Sequence, residues 1–76
     1  CRLGRAPDNA ICLDNDSVSG CHAEVYHLPD GAFQICDLNS TNGTWVNGKR
    51  IKIQILSNGD VVELGEVRLH FRIGDA

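Results

Sequence analysis

Methionine is missing from this chain of 76 residues, and the first residue is Cys1. A chain with no initiator reads as an excised or partly ordered piece of a longer protein. No apolar run is long enough to span a bilayer, and there is no secretory n-region or h-region, so no membrane partner is expected of this segment. Positive charge is scarce: seven Lys and Arg against ten Asp and Glu leave a net charge of −3. Nucleic-acid binding needs a basic face broad enough to displace counterions from many phosphates, so no nucleic-acid partner is expected either. Five of the seven cations, Arg2, Arg5, Lys49, Arg50 and Lys52, nevertheless fall in two short segments, which suits one or two phosphates better than a polymer of them.

The C-x-x-C pair is also absent. Cys1, Cys12, Cys21 and Cys36 lack the short, even spacing of a secreted disulfide scaffold, and Cys12 sits between Ile11 and Leu13. They read as reduced thiols packing as small hydrophobes in an intracellular protein, of the cytoplasm or nucleus. A zinc site drawn from Cys12, Cys21, His22, His27 and Cys36 would lack the knuckle separation that structural zinc requires, so no metal and no cofactor are expected. Finally, no stretch keeps an apolar period of 3.6 for three turns, which excludes a helical fold.

What the chain does have is turns. Pro7-Asp8-Asn9, Asp14-Asn15-Asp16, Pro29-Asp30-Gly31, Asn42-Gly43, Asn47-Gly48, Ser57-Asn58-Gly59-Asp60 and Gly65-Glu66 punctuate it every eight to twelve residues or closer. Short runs rich in β-branched and aromatic residues lie between them, the pattern of an all-β antiparallel sandwich forming one domain over residues 1–76. Val67, Leu69, Phe71 and Ile73 alternate with Arg68, His70 and Arg72, which predicts a half-buried last strand. Val61–Leu64 is its expected hairpin partner, and 22–28 with 32–38 the second antiparallel pair. Trp45 alternates with Thr44 and Val46 in a short strand and is expected to pack against the fold.

The run from Asp37 to Gly48 carries the strongest functional signal. Asn42-Gly43 and Asn47-Gly48 both read as tight reversals with φ > 0 at successive positions, flanking Thr44-Trp45-Val46. Asn39, Ser40 and Thr41 precede the first of them, a polar lead-in that a purely structural turn does not need. With Leu3-Gly4-Arg5, Val18-Ser19-Gly20-Cys21-His22-Ala23, Leu56-Ser57-Asn58-Gly59-Asp60 and Leu64-Gly65, this run resembles, by order and spacing, the forkhead-associated (FHA) domain. The resemblance covers about Leu3 to Phe71. It implies an FHA/SMAD-like β-sandwich that binds phosphothreonine in an extended peptide of a signalling partner, in trans or in cis, without catalysis. The family has one or two strands before the Gly-Arg motif. Their absence here would leave a sheet edge and part of the core open, giving marginal stability or pairing with another chain.

The resemblance implies roles residue by residue. Arg5, Ser19 and Thr41 are the expected phosphate ligands. A phosphothreonine carries about −1.5 to −2 charges and three acceptor oxygens, so its site must offer donors, and a guanidinium fork pairs two oxygens at once. Asn42 and Gly20 are the expected contacts to the peptide main chain, although many family members carry a larger polar residue where Gly20 stands. Gly4, His22, Gly43, Asn47 and Gly48 are expected to be structural, which sets aside Ser19 and His22 as nucleophile and base. Ser17, Lys49 and Arg50 are candidates for reading neighbours of the phosphothreonine. A hydrolase would need an oriented base, an oxyanion hole and a cleft that a sandwich of this length does not supply. The remaining alternative is a phosphate-independent interaction or self-association module on the same scaffold.

Overall fold

The computed structural model describes residues 1–72. Nine short strands build it: β1 (Arg2–Gly4), β2 (Ile11–Cys12), β3 (Ala23–His27), β4 (Phe33–Asp37), β5 (Thr44–Val46), β6 (Lys49–Ile51), β7 (Ile53–Leu56), β8 (Val61–Leu64) and β9 (Val67–His70). They form a five-stranded sheet in the order β2-β1-β3-β4-β7 and a four-stranded sheet in the order β6-β5-β8-β9. The all-β sandwich expected from the turn spacing is what forms. Its pairs are antiparallel with one exception, β1 with β2, where Leu3 stands opposite Ile11 and Gly4 opposite Cys12.

Both expected hairpins are present, β3 with β4 in the register Val25 to Ile35, and β8 with β9 in the register Val62 to Leu69. The alternation read in the last strand holds, with Val67, Leu69 and Phe71 half-buried and Arg68, His70 and Arg72 exposed. The ladder itself ends at His70, and the expected position of Ile73 lies outside the described residues.

One residue of each inward pair comes to the middle. Leu3, Ala23, Ile35 and Leu56 of the larger sheet meet Val46, Ile51, Val62 and Leu64 of the smaller one, and Val18 enters from a loop at 1% exposure. An open apolar cleft of about 320 Å³ continues this core between the sheets, lined among others by Leu3, Ile11, Val25, Phe33, Leu69 and Phe71. Phe33 is one of its lining residues, stacked on His27 at 4.4 Å and edge-on to Phe71 at 5.5 Å.

The chain changes sheet three times, and the first two crossings bear on the site. From β4 to β5 it passes through residues 38–43, and from β6 to β7 through Lys52 alone. The first crossing corrects the turn reading. Asn47-Gly48 is a true two-residue reversal with φ of 52° and 82°, joining β5 to β6, as an Asn-Gly hairpin requires. At Asn42-Gly43 only Gly43 has positive φ, at 87°, and Asn39 supplies the other at 56°. β4 and β5 belong to different sheets, so the segment between them is a crossover loop and has no hairpin register to satisfy.

Two further expectations change. The cysteines are free thiols, but Cys1, Cys12 and Cys21 are exposed and Cys36 is half-buried on the outer face of β4, so none of them fills the core. Ile11 and Cys12 form a two-residue edge strand with both residues exposed, and their apolar surroundings in sequence do not become a packed environment. Trp45 faces away from the core: Thr44 and Val46 take the buried positions of β5, and the indole lies half-buried on the outside with Nε1 donating to the Asn42 carbonyl at 3.3 Å.

Ile35, at 1% exposure in the centre of β4, tests the packing without unfolding the domain. Ile35→Val should lower unfolding stability by about 0.5–1.5 kcal/mol in urea titration, the cost of one buried methyl group. No measurable loss would mean that the two sheets do not close on this residue.

Candidate functional site

β1, β4 and β8 end, and β3 and β5 begin, at the same end of the sandwich. The loops that collect there are the Arg5 loop after β1, the Ser17–Cys21 segment before β3, the 38–43 crossover, and the Gly65-Glu66 turn. Backbone bonds lace the first two together: Arg5 N donates to Ser19 O at 3.0 Å and Ala6 N to Gly20 O at 3.1 Å. So close an approach leaves no room at Gly4, where a Cβ would lie 2.2 Å from the Gly20 carbonyl oxygen.

His22 joins these loops to the crossover. It is fully buried, and each ring nitrogen has a backbone partner. Ser19 N–H reaches Nδ1 at 3.0 Å and the Gly43 carbonyl stands 2.8 Å from Nε2. The first partner can only donate and the second only accept, so Nδ1 accepts and Nε2 carries the proton. Its own backbone is held as firmly, N–H to the Leu3 carbonyl and carbonyl to Leu38 N, both at 2.9 Å. Both ring nitrogens of His22 are thus engaged by the backbone of the two loops it joins.

The crossover carries its own brace. Asp37, at the end of β4, accepts from Ser40 N at 3.2 Å, from Thr44 Oγ1 at 2.7 Å and from the Ser40 hydroxyl. Burial pushes its carboxyl upward in pKa, but the bonds from Ser40 and Thr44 outweigh that and hold it below the usual value. A similar brace stands at the turn of the β5–β6 hairpin. Asn47 donates to Asp60 at 3.0 Å and accepts from Val61 N at 2.9 Å, and Asp60, held below its usual pKa by bonds from Ser57 N and Asn47, closes the Ser57–Asp60 turn.

On this frame the three expected phosphate ligands stand on adjoining loops. Ser19 Oγ accepts from Thr41 N at 3.1 Å, which ties the second loop to the third and leaves the hydroxyl its own proton to donate. Arg5 is half-exposed and pairs with the fully exposed Asp16 at 3.3 Å. Such a pair is screened and weak, so an incoming anion of higher charge can replace it. Asn42 sits beside Thr41, both exposed, with its amide donating to the Ser17 carbonyl at 2.8 Å. Gly20 is exposed next to them.

Of the candidate selectivity residues, Ser17 is spent internally. Its hydroxyl donates to Asn15 Oδ1 and accepts from Glu66 N at 2.7 Å, which ties the site to the β8–β9 turn. Arg50 lies against the crossover, its Nε 2.7 Å from where a Cβ on Gly43 would be. Lys49 is exposed one residue earlier on β6. Gly48 has open space around it and serves its turn only.

Two contributors escape a reading by residue type. Asn9, 8% exposed, donates from Nδ2 to the Ala6 carbonyl at 2.7 Å and the Gly20 carbonyl at 2.6 Å, clamping the Arg5 loop to the Ser19 loop. Its Oδ1 is the one buried side-chain polar atom without a partner among the described residues. Asp37 is the other; its place three residues before Ser40 was the available signal, since Asp and Ser at that spacing make local side-chain turns.

The chain matches the FHA domain family model over residues 1–65, most of its length, and it belongs to that family. It is 46% identical over 71 residues to the glycogen accumulation regulator GarA of Mycolicibacterium smegmatis, covering 93% of this chain and 44% of that protein. It is 41% identical over 73 residues to the oxoglutarate dehydrogenase inhibitor of Corynebacterium efficiens, covering 96% of this chain and 51% of that protein. The chain thus spans about half the length of these relatives. A domain solved for structural and functional analysis of phosphothreonine-dependent FHA domain interactions superposes with a TM-score of 0.91 at 33% identity, over 99% of this chain and 77% of that one. An FHA domain is a regulatory binding module and not an enzyme, and no residue of this site needs to act as acid, base or nucleophile.

Asp37 gives a test with a defined sign. Its folded-state pKa is depressed, so the stability it contributes is full above its unfolded pKa, near 4, and is lost as pH falls through the lower folded value. Unfolding stability should drop below about pH 4 in the wild type, and Asp37→Asn should remove part of that slope while lowering stability at pH 7. Parallel pH profiles for the two proteins would show that the carboxylate does not brace the crossover.

Proposed function

We propose that this domain recognises phosphothreonine in an extended peptide, with Arg5, Ser19 and Thr41 as phosphate ligands and Asn42 and Gly20 facing the peptide main chain. One observation carries the reading: the three donors stand on three separate loops that are bonded directly to one another, Arg5 N to Ser19 O and Thr41 N to Ser19 Oγ. Loops fixed in advance lose little entropy on binding, so a small site can hold a doubly charged group. Charge-assisted hydrogen bonds contribute about 1.5–3 kcal/mol each, and three or four of them less ordering costs give micromolar affinity.

A reader of that strength suits reversible regulation, and the names of the two relatives, a regulator and an inhibitor, support a regulatory role within a longer protein. The partner is then a phosphorylated protein, or a phosphorylated segment of the same chain. Four free thiols support an intracellular setting. The phosphate-independent alternative has its own observation, since Tyr26 of β3 and Ile53 and Ile55 of the edge strand β7 are exposed on the outer face of the larger sheet.

Calorimetric titration with matched phosphothreonine, phosphoserine and unmodified threonine peptides tests the reading. The phosphothreonine form should bind in the micromolar range, and Arg5→Ala should weaken it about 100-fold or more through loss of a bidentate pair. Equal binding of all three peptides by the folded protein would move the function to the outer face. In the same assay Asp16→Asn, which frees Arg5, should tighten phosphopeptide binding about twofold at low salt; a weaker complex would give Asp16 a role in holding the loop.

A further inference from the structure

Asp37, Asn39, Ser40, Arg50, Ile51 and Lys52 line an open polar cavity of about 430 Å³ on the flank of the crossover loop. Its two cations come from the point where the chain leaves β6 for β7, Arg50 on the strand and Lys52 at the bend. Both are exposed, and neither is ion-paired among the described residues, where the one ion pair is Arg5 with Asp16. The carboxylate in the same cavity, Asp37, is occupied by Ser40 and Thr44. Two uncommitted cations therefore face the cavity with their one local counter-charge engaged in the fold.

Arg50 is also placed. Its Nε and Cζ would lie 2.7 and 3.0 Å from a Cβ on Gly43, so the guanidinium rests on the glycine that follows Thr41 and Asn42. Ser40, which lines the cavity, directly precedes Thr41, and successive Cα atoms are about 3.8 Å apart.

We propose that this cavity is a second anion subsite, in which Arg50 and Lys52 take the carboxylate of an Asp or Glu in the same peptide that carries the phosphothreonine. The proposal rests on the phosphothreonine reading and adds a sequence preference to it. An extended peptide advances about 3.3 Å per residue, so a side chain reaching the cavity belongs to a residue within about three positions of the phosphothreonine. The guanidinium offers a planar fork to the carboxylate and the lysine a point charge beside it. Lys49 does not line the cavity and has no part in the preference.

The test uses phosphothreonine peptides that differ only by Glu or Gln at a single position, for each of the three positions on either side, titrated by fluorescence anisotropy. At one position Glu should bind about two- to fivefold more tightly than Gln at low salt, with the ratio shrinking between about 50 and 200 mM salt. Arg50→Gln/Lys52→Gln should bring that ratio to one, and Lys49→Gln should keep it, with circular dichroism confirming the fold of each variant. A Glu:Gln ratio of one at every position in the wild type, or a preference surviving in the double variant, overturns the subsite while leaving the phosphothreonine reading in place. If no phosphopeptide binds the folded wild type, that reading fails and the subsite falls with it.

Discussion

The pair of hydrogen bonds made by the buried ring of His22 is the constraint on which the rest of this site depends. One ring nitrogen holds Ser19 N and the other the Gly43 carbonyl, so a single side chain fixes the separation of a loop within the larger sheet from the loop that crosses to the smaller one. Burial makes the arrangement exacting. A backbone amide or carbonyl deprived of its partner inside the fold costs about 1–3 kcal/mol, a large share of what so small a domain has to spare. The loops are thus held by the folding energy of the sandwich itself, and their outward-facing donors stand in place before any ligand arrives.

Around that link the other braces divide the work. Asn9 and the bare backbone at Gly4 bring the Arg5 loop down onto Ser19 and Gly20. Asp37 curls the crossover through Ser40 and Thr44. Ser17 ties the assembly to the β8–β9 turn, and Val18 plugs it into the core. Polar side chains are abundant at this end, yet most of them hold backbone, and those left facing solvent, Arg5, Thr41 and Asn42, are the ones suited to a charged peptide. The β-sandwich supplies rigidity and the loops supply chemistry, a division common to binding modules built on sheets.

Much of this was legible in the sequence because turn chemistry and strand alternation are local. Pro29-Asp30-Gly31 and Gly65-Glu66 locate the β3–β4 and β8–β9 hairpins, and the alternation from Val67 to Arg72 gives the inward face. The order of Gly4-Arg5, Ser19, His22, Thr41 and Asn42 leads to the family that the comparison confirms. What was not legible is decided by long-range pairing. The loop at Asn42-Gly43 crosses between sheets, which no dipeptide signals, and its positive φ at Asn39 follows from that crossing. The cysteines looked like core because their neighbours are apolar, but a two-residue edge strand buries nothing. Thr44 and Val46 took the inward positions because the pairing of β5 with β8 sets the face, and Trp45 was turned outward as a result. Ser17 looked available until the β8–β9 turn was seen to need its hydroxyl.

The most direct test of the account is a nuclear magnetic resonance titration of the labelled domain with a phosphothreonine peptide, following backbone amides together with the ring nitrogens of His22. The account predicts that His22 carries its proton on Nε2 throughout, and that the amides of Arg5, Ser19, Gly20, Thr41 and Asn42 shift together. Shifts confined to Tyr26, Ile53 and Ile55, or a His22 ring protonated on Nδ1 and facing away from Ser19, would contradict it.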